Sequence, residues 1–191
     1  MQLILASQSP RRKELLGLFR IPFSIQVADI DETMDPHKTP YEEVARVSRL
    51  KAEAIPRERD DVVVAADTIV VCDGEILGNP KDETDAFRML RMLSGTDHQV
   101  MTGMTVLRGD TALVCTEVTD IRFRPLSDRE IHAYIRTGEP MDKAGAYGIQ
   151  GGAALFAERM VGDYYNVMGL PVCRLGQLLK QIAPELMEEF S

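Results

Sequence analysis

The chain has 191 residues, 22 Lys+Arg against 30 Asp+Glu, and 45% hydrophobic residues, a globular proportion that excludes a disordered or low-complexity protein. At this length a single domain spanning residues 1–191, folded as two lobes, is expected, with enough chain to bury a core without disulfides or structural metals. The net charge of −8 argues against a broad basic face for nucleic acid, while small phosphorylated ligands remain allowed.

Cys72, Cys115 and Cys173 are odd in number, far apart and free of any CxxC pattern, which describes neither a disulfide framework nor a zinc cluster. Met1 to Ser7 has no basic lead and too few apolar residues for a signal-peptide core. Residues 62–72 form the longest apolar stretch, and Asp67 and Thr68 interrupt it well short of a membrane span. These features predict a cytoplasmic protein with neither a membrane nor a nucleic-acid partner.

Leu3-Ile4-Leu5 reads as a short buried strand, and Ser9-Pro10 then offers an N-cap with proline at the first helical position, leading into a helix over 11–19. Residues 23–27 look like a second strand. Thr39-Pro40-Tyr41-Glu42 is a capping box that starts a helix reaching Lys51 and beyond, with Val44, Val47, Ser48 and Lys51 on roughly one face. The β-branched run 62–72 predicts a central strand, turned at Asp73-Gly74 into a hairpin with Glu75-Ile76-Leu77.

Asp82 can cap a helix through Leu93, and the strand-like runs 98–107 and 113–123 are separated by Arg108-Gly109-Asp110, a second hairpin. Ser127-Asp128-Arg129-Glu130 is another capping box, with Gly138 closing that helix. Residues 144–152 hold four glycines and read as a flexible segment before the apolar run 153–156; Pro171 precedes a final helix ending near Pro184. The interleaving predicts an α/β chain with a mixed sheet, in two lobes around a cleft.

Chemistry is concentrated in a few places. Ser7, Ser9, Arg11 and Arg12 fall where a strand turns into a helix, where free N–H groups and the helix dipole favour an anion and guanidinium forks can hold phosphate. A capped surface helix with solvated arginines is the plain alternative. Asp67 stands in the middle of a strand otherwise fit for full burial, which costs several kcal/mol unless a cation, a metal or strong donors meet it. It is therefore a site residue, a strand-end acid or half of a structural ion pair.

Glu32, Lys51, Lys81 and Lys143 are by themselves ordinary solvated charges, and His37, His98 and His132 have no zinc-hydrolase spacing. In Ala144-Gly145-Ala146-Tyr147-Gly148-Ile149-Gln150-Gly151, glycines would let a ligand approach closely, Gln150 offers a donor and an acceptor, and Tyr147 offers a flat face. Those are the needs of a base-recognition loop, and a plain glycine-rich turn has the same composition.

Taken in order, Leu5 to Leu16, Glu32, Lys51, Ala66-Asp67-Thr68, Pro80-Lys81, Leu93-Ser94-Gly95, His98 to Gly103, Ala144 to Gly151 and Asn166 to Pro171 resemble the signatures of the Maf family of nucleoside triphosphate pyrophosphatases. The resemblance implies a mixed α/β fold related to the inosine triphosphate pyrophosphatases, with an elongated twisted sheet, helices and two lobes around a central cleft. It implies hydrolysis of a nucleoside triphosphate between the α and β phosphates with a divalent cation, Mg²⁺ or Mn²⁺.

In that reading Ser7, Ser9, Arg11, Arg12, Lys51, Thr68, Lys81 and Gln150 bind substrate, Glu32 and Asp67 hold the metal, and Asp67 is also the base that activates water. Arg11, Thr68 and Gln150 are similar to the branch acting on dTTP and UTP, with modified pyrimidine triphosphates as further expected substrates. The 7-methyl-GTP branch typically carries tryptophan, glutamine and glutamate at those positions, which suit a cationic purine. One departure is Asn79, where lysine is common. A purely nucleotide-binding regulator of septum formation could dispense with Glu32 and Asp67. The resemblance also makes a homodimer an expectation.

Overall fold

The computed structural model describes residues 1–27 and 29–190. Among them is a seven-stranded mixed sheet of order β2-β1-β3-β5-β6-β7, with β4 added to β3. Its strands are β1 (Leu3–Leu5), β2 (Phe23–Ile25), β3 (Val62–Cys72), β4 (Glu75–Leu77), β5 (Asp97–Arg108), β6 (Thr111–Phe123) and β7 (Ala157–Val161). The helices are α1 (Pro10–Gly17), α2 (Pro40–Glu53), α3 (Glu83–Leu93), α4 (Asp128–Ile135), α5 (Tyr164–Met168) and α6 (Val172–Ile182). None of the described helices is long and apolar enough to cross a membrane.

The chain divides into two compact units: Met1–Asp67, Thr102–Glu117 and Gly169–Ser191 in the first, Thr68–Met101 and Val118–Met168 in the second. In the first unit β1 pairs in parallel with both β2 and β3, Leu5 lying opposite Ile25 and Val64. Asp61 fixes where β3 begins, its carboxylate accepting from the N–H groups of Gln2 (2.8 Å) and Glu58 (3.0 Å). Ile4, Ala6, Ala52, Ile55, Val63, Ala65 and Leu107 form one buried cluster here.

Helix α2 opens with the expected capping box: Thr39 accepts from Glu42 N–H, and the Glu42 carboxylate returns to Thr39 N–H at 2.9 Å. Its apolar face is pressed against β5 at Gly103, where an added Cβ would come within 2.1 Å of the Val44 carbonyl oxygen. One turn on, the buried hydroxyls of Ser48 and Thr105 meet at 2.8 Å, and Thr116 Oγ1 donates to the Tyr41 carbonyl at 3.0 Å.

In the second unit, β3 turns through Asp73 and Gly74 (φ +78°) into the antiparallel β4, as a two-residue hairpin demands. In the first unit, Gly109 (φ +54°) turns β5 into β6 in the same way. Asp82 caps α3 by accepting from Asp85 N–H at 2.8 Å, and Ser127 with Glu130 makes the second capping box on α4. The core of the second unit is aromatic: His98, Phe123 and Tyr147 meet edge to face, and Phe156 joins Phe123 and Tyr134.

Three boundaries differ from expectation. Helix α1 stops at Gly17 rather than 19, because the N–H groups of Leu18 and Phe19 turn back to the carbonyls of Leu15 and Leu16, and Arg20 takes φ +56°. Strand β2 stops at Ile25, and β6 begins at Thr111. The segment 144–152, expected to be flexible, is a 3-10 turn over Ala144–Ala146 and a hydrogen-bonded turn that leads into a second 3-10 turn over Gly152–Leu155, with Ala146, Tyr147 and Ile149 buried.

Gly103→Ala should destabilise the protein by about 3 kcal/mol or more, because the clashing atom is backbone that cannot yield as a side chain would. Urea unfolding of that variant with near-native stability would remove this contact from the account of how α2 is seated. Burial pushes the His98 imidazole down to about 4, against weaker opposing effects of the Thr96 backbone and Asp97. The unfolded chain thus takes up a proton that the folded one refuses. Stability should be intact above pH 6.5 and fall as pH drops towards about 4, by up to about 3 kcal/mol. Urea midpoints of wild type and His98→Gln with identical pH dependence would refute this.

Candidate active site

In the first unit β1 ends at Leu5, and Ala6 to Ser9 carry the chain into α1. Ser7 Oγ accepts from Ser9 N–H at 3.2 Å, Ser9 Oγ caps the helix through Arg12 N–H at 3.4 Å, and Pro10 occupies the first turn, where its missing N–H costs nothing. Both serines thereby shape the turn. The Arg12 guanidinium is fixed by Nε donating to the Gly169 carbonyl (2.8 Å) and Nη1 donating to Ser7 Oγ (3.3 Å).

Burial lowers the pKa of Arg12, Asp67 and Glu32 raise it, and neighbouring Arg11 lowers it. An arginine remains charged through shifts of this kind. The result is a desolvated cation facing two carboxylates.

Asp67 ends the first unit's share of β3, and Lys51 projects from α2 one turn beyond Val47 and Ser48. Lys51 Nζ donates to Asp67 Oδ1 at 2.8 Å and lies 3.1 Å from Glu32 Oε2. The side chains of Lys51 and Asp67 are only 18% and 17% exposed, so stranding the carboxylate by removing the lysine costs more than breaking a surface ion pair. Lys51 is the cation that makes an acid in the middle of a strand tolerable.

Glu32 is exposed and comes from the chain between β2 and α2, which has anchors of its own. Arg46 Nη2 donates to the Thr33 carbonyl at 2.8 Å. Glu43, only 2% exposed, pairs with Arg46 and accepts from Asp35 N–H at 3.1 Å. Helix α2 therefore holds Glu32 twice, through Lys51 and through the Glu43–Arg46 pair.

A cavity of about 200 Å³ opens here, lined by Ala6, Ser7, Gln8, Arg12, Val27, Glu32 and Lys51. Ala6, Gln8 and Val27 are additions to the residues expected from sequence. Gln8 is betrayed only by its place between two serines, whereas Val27 gives no signal beyond following a strand. Glu43 and Arg46 were equally silent as site residues, although an acid and an arginine three apart on a helix form a recognisable pair.

Glu32 and Asp67 converge on one Nζ, so two carboxylate oxygens of the kind hard divalent cations take lie around one point. Among the described residues no group of three or more His, Cys, Asp and Glu is arranged to hold a metal. Two carboxylates nevertheless fit a Mg²⁺-type ion, which keeps waters and takes further oxygens from phosphate.

Ser7, Ser9, Arg11, Arg12, Glu32, Lys51 and Asp67 thus all belong to the first unit, whereas Thr68, Lys81 and Gln150 belong to the second. Thr68 is half-buried in β3, and because it follows Asp67 directly it points to the opposite face of the strand. Lys81 is exposed, its N–H bonded to the Asp85 carboxylate at 3.1 Å. Gln150 is exposed on a tight turn closed by Gly151 N–H to the Gly148 carbonyl (3.1 Å). Tyr147 corrects an expectation: 5% exposed and bonded to His98 at 2.9 Å, it spends its ring faces on the core and offers none to a base.

A mixed α/β protein with carboxylates and cations gathered at one polar cavity belongs to the class that handles polyanions with the help of charge. The chain belongs to the Maf family, the model for Maf-like protein matching residues 2–182. It is 53% identical over 94% of its length, and 93% of the relative, to a dTTP/UTP pyrophosphatase of Symbiobacterium thermophilum. It is also 50% identical, over 93% of its length and 94% of the relative, to a dTTP/UTP pyrophosphatase of Alkaliphilus metalliredigens. In fold it is similar to a HAM1 protein from Coxiella burnetii, with a TM-score of 0.50 and 14% identity over 95% of this chain and 99% of that one.

A urea double-mutant cycle on Lys51→Met and Asp67→Asn should give a coupling of about 1–2 kcal/mol, with Lys51→Met the costlier single change because it strands a half-buried carboxylate. Additive single effects would mean that the two groups are not coupled in solution.

Proposed function

We propose that this chain is a nucleoside triphosphate pyrophosphatase acting on dTTP and UTP, releasing the nucleoside monophosphate and pyrophosphate. The observation that carries the reading is the contact of Asp67 with Lys51, with Glu32 on the same ammonium and Arg12 beside it. Relatives about half identical over nearly the whole chain and named dTTP/UTP pyrophosphatase support the substrate class.

In this mechanism Asp67 accepts the proton of the attacking water, whose oxygen forms the new bond to the α-phosphorus. The electron pair of the broken α,β P–O bond leaves with pyrophosphate. Lys51 orients Asp67 through their 2.8 Å hydrogen bond, and with Arg11 and Arg12 it offsets the charge growing on the leaving group. The serine turn presents the N-terminus of α1 to the phosphates. A divalent cation held by Glu32 and Asp67 would supply Lewis-acid stabilisation of phosphoryl oxygens. From the second unit this reading assigns Lys81 as a phosphate cation and Gln150 as the partner of a neutral pyrimidine's edge, to which its amide offers both a donor and an acceptor.

Asp67→Asn should lower turnover roughly 100-fold or more, the usual worth of a general base, without shifting the urea midpoint appreciably. The assay is pyrophosphate release from dTTP, UTP, CTP, GTP and 7-methyl-GTP, with Mg²⁺ or Mn²⁺ and with chelator. Metal-dependent dTMP and UMP formation is the expected product pattern. Near-normal turnover by the variant would displace Asp67 as base, and preference for 7-methyl-GTP would overturn the pyrimidine assignment.

A further inference from the structure

We infer that Glu139 is a positioning residue for nucleotide selectivity: its carboxylate is the template around which the turn carrying Gln150 is folded. The inference rests on Gln150 being the base-reading group of the proposed function. Its structural ground is independent of that reading and lies wholly within the second unit.

Glu139 follows Gly138, whose φ of +75° swings the chain out of α4, and its N–H donates to Thr137 Oγ1 at 3.2 Å. The carboxylate is then engaged on both oxygens. Oε1 accepts from the Tyr134 hydroxyl at 2.7 Å, and Oε2 accepts from Gly152 N–H at 3.1 Å. The Tyr134 oxygen accepts in turn from Gly148 N–H at 2.9 Å. Glu139 thus grips the turn at both feet, directly at Gly152 and through a buried tyrosine at Gly148.

Between those feet Ile149 is 8% exposed and points inwards, while Gln150 at the next corner is exposed. Gly151 is explained by the acid. A Cβ there would lie 2.2 Å from Glu139 Oε1, whereas one on Gly148 would meet Lys143 Cε at 2.8 Å as well as the same carboxylate oxygen at 3.0 Å. The carboxylate occupies the space a side chain would take. A hydrogen-bonded acid packed this closely leaves the turn one geometry, and Gln150 one direction.

The test is kcat and KM for dTTP, UTP and GTP with wild type, Glu139→Ala, Glu139→Gln, Gly151→Ala, the double variant Glu139→Ala/Gly151→Ala, and Gln150→Ala. Glu139→Ala and Gly151→Ala should each raise KM for dTTP and UTP about tenfold, as for loss of one oriented hydrogen bond, leave kcat within about twofold, and erode the preference over GTP. Glu139→Gln, which keeps one acceptor, should fall between wild type and Glu139→Ala. The double variant should be no worse than either single change, since removing the carboxylate makes room for the methyl group.

A fall in kcat common to all nucleotides with KM unchanged, or penalties that multiply in the double variant, would reduce Glu139 to a structural residue. If Glu139→Ala fails to fold in a thermal melt, Glu139→Gln and Gly151→Ala decide the matter by the same readout. Unchanged selectivity in Gln150→Ala would overturn the base-reading role itself; lost selectivity there with none lost in the Glu139 and Gly151 variants would overturn only the present inference.

Discussion

The first unit depends on one close approach, that of the α2 backbone to β5 at Gly103. With an added Cβ projected to 2.1 Å from the Val44 carbonyl oxygen, only glycine allows the helix to lie so near the strand. Once it does, the buried Ser48–Thr105 hydroxyl pair and the Thr116 bond to Tyr41 fix its rotation and height. Lys51 lies one turn beyond Ser48, so that rotation is what points its ammonium at Asp67 on β3. A hydroxyl pair at 0% exposure on both sides would be costly if the helix slid, since each group would lose its partner in a medium without water.

Charge follows from that placement. The protein carries a net −8, yet its candidate site is built from cations held by acids: Lys51 between Glu32 and Asp67, and Arg12 under the opposing influence of the same two carboxylates and of Arg11. Each cation has carboxylate neighbours before any ligand arrives, which makes partial burial at Arg12 and Lys51 tolerable. A polyphosphate entering such a cavity meets groups already desolvated and oriented, and each contact is then stronger than the same contact made in water.

Much of this was legible in the sequence wherever the determinant is local. The two capping boxes, the Asp82 cap and the hairpin turns at Asp73-Gly74 and Gly109-Asp110 depend on a few neighbouring residues, and they stand where the pattern puts them. Asp67 is conspicuous because an acid inside a β-branched run contradicts its surroundings, and the structure answers with Lys51. What could not be read locally is what depends on partners far along the chain. The ring of Tyr147 is claimed by His98 and Phe123, so a residue suited to stacking on a base is spent on the core. Gln8 and Val27 line the cavity because of where β1 and β2 end, and no composition rule marks them. Glu43 looks like a first-turn helix acid, which it is, and only the fold reveals that it also grips the chain bearing Glu32.

The two units place their candidate site residues in opposite ways. In the first, the charged groups stand on regular elements, Asp67 on a central strand and Lys51 on a long helix, where backbone hydrogen bonds fix their position. In the second, Gln150 stands on a tight turn with no ladder to hold it, and the missing order is supplied by a side chain. Glu139 and Tyr134 saturate the N–H groups of Gly152 and Gly148 that a free loop would give to water. A turn satisfied by protein donors and acceptors loses little further freedom when a ligand arrives, so less of the binding free energy is spent on ordering it. Glycine here therefore serves order rather than flexibility: without a Cβ at 151, the carboxylate can reach the backbone it organises.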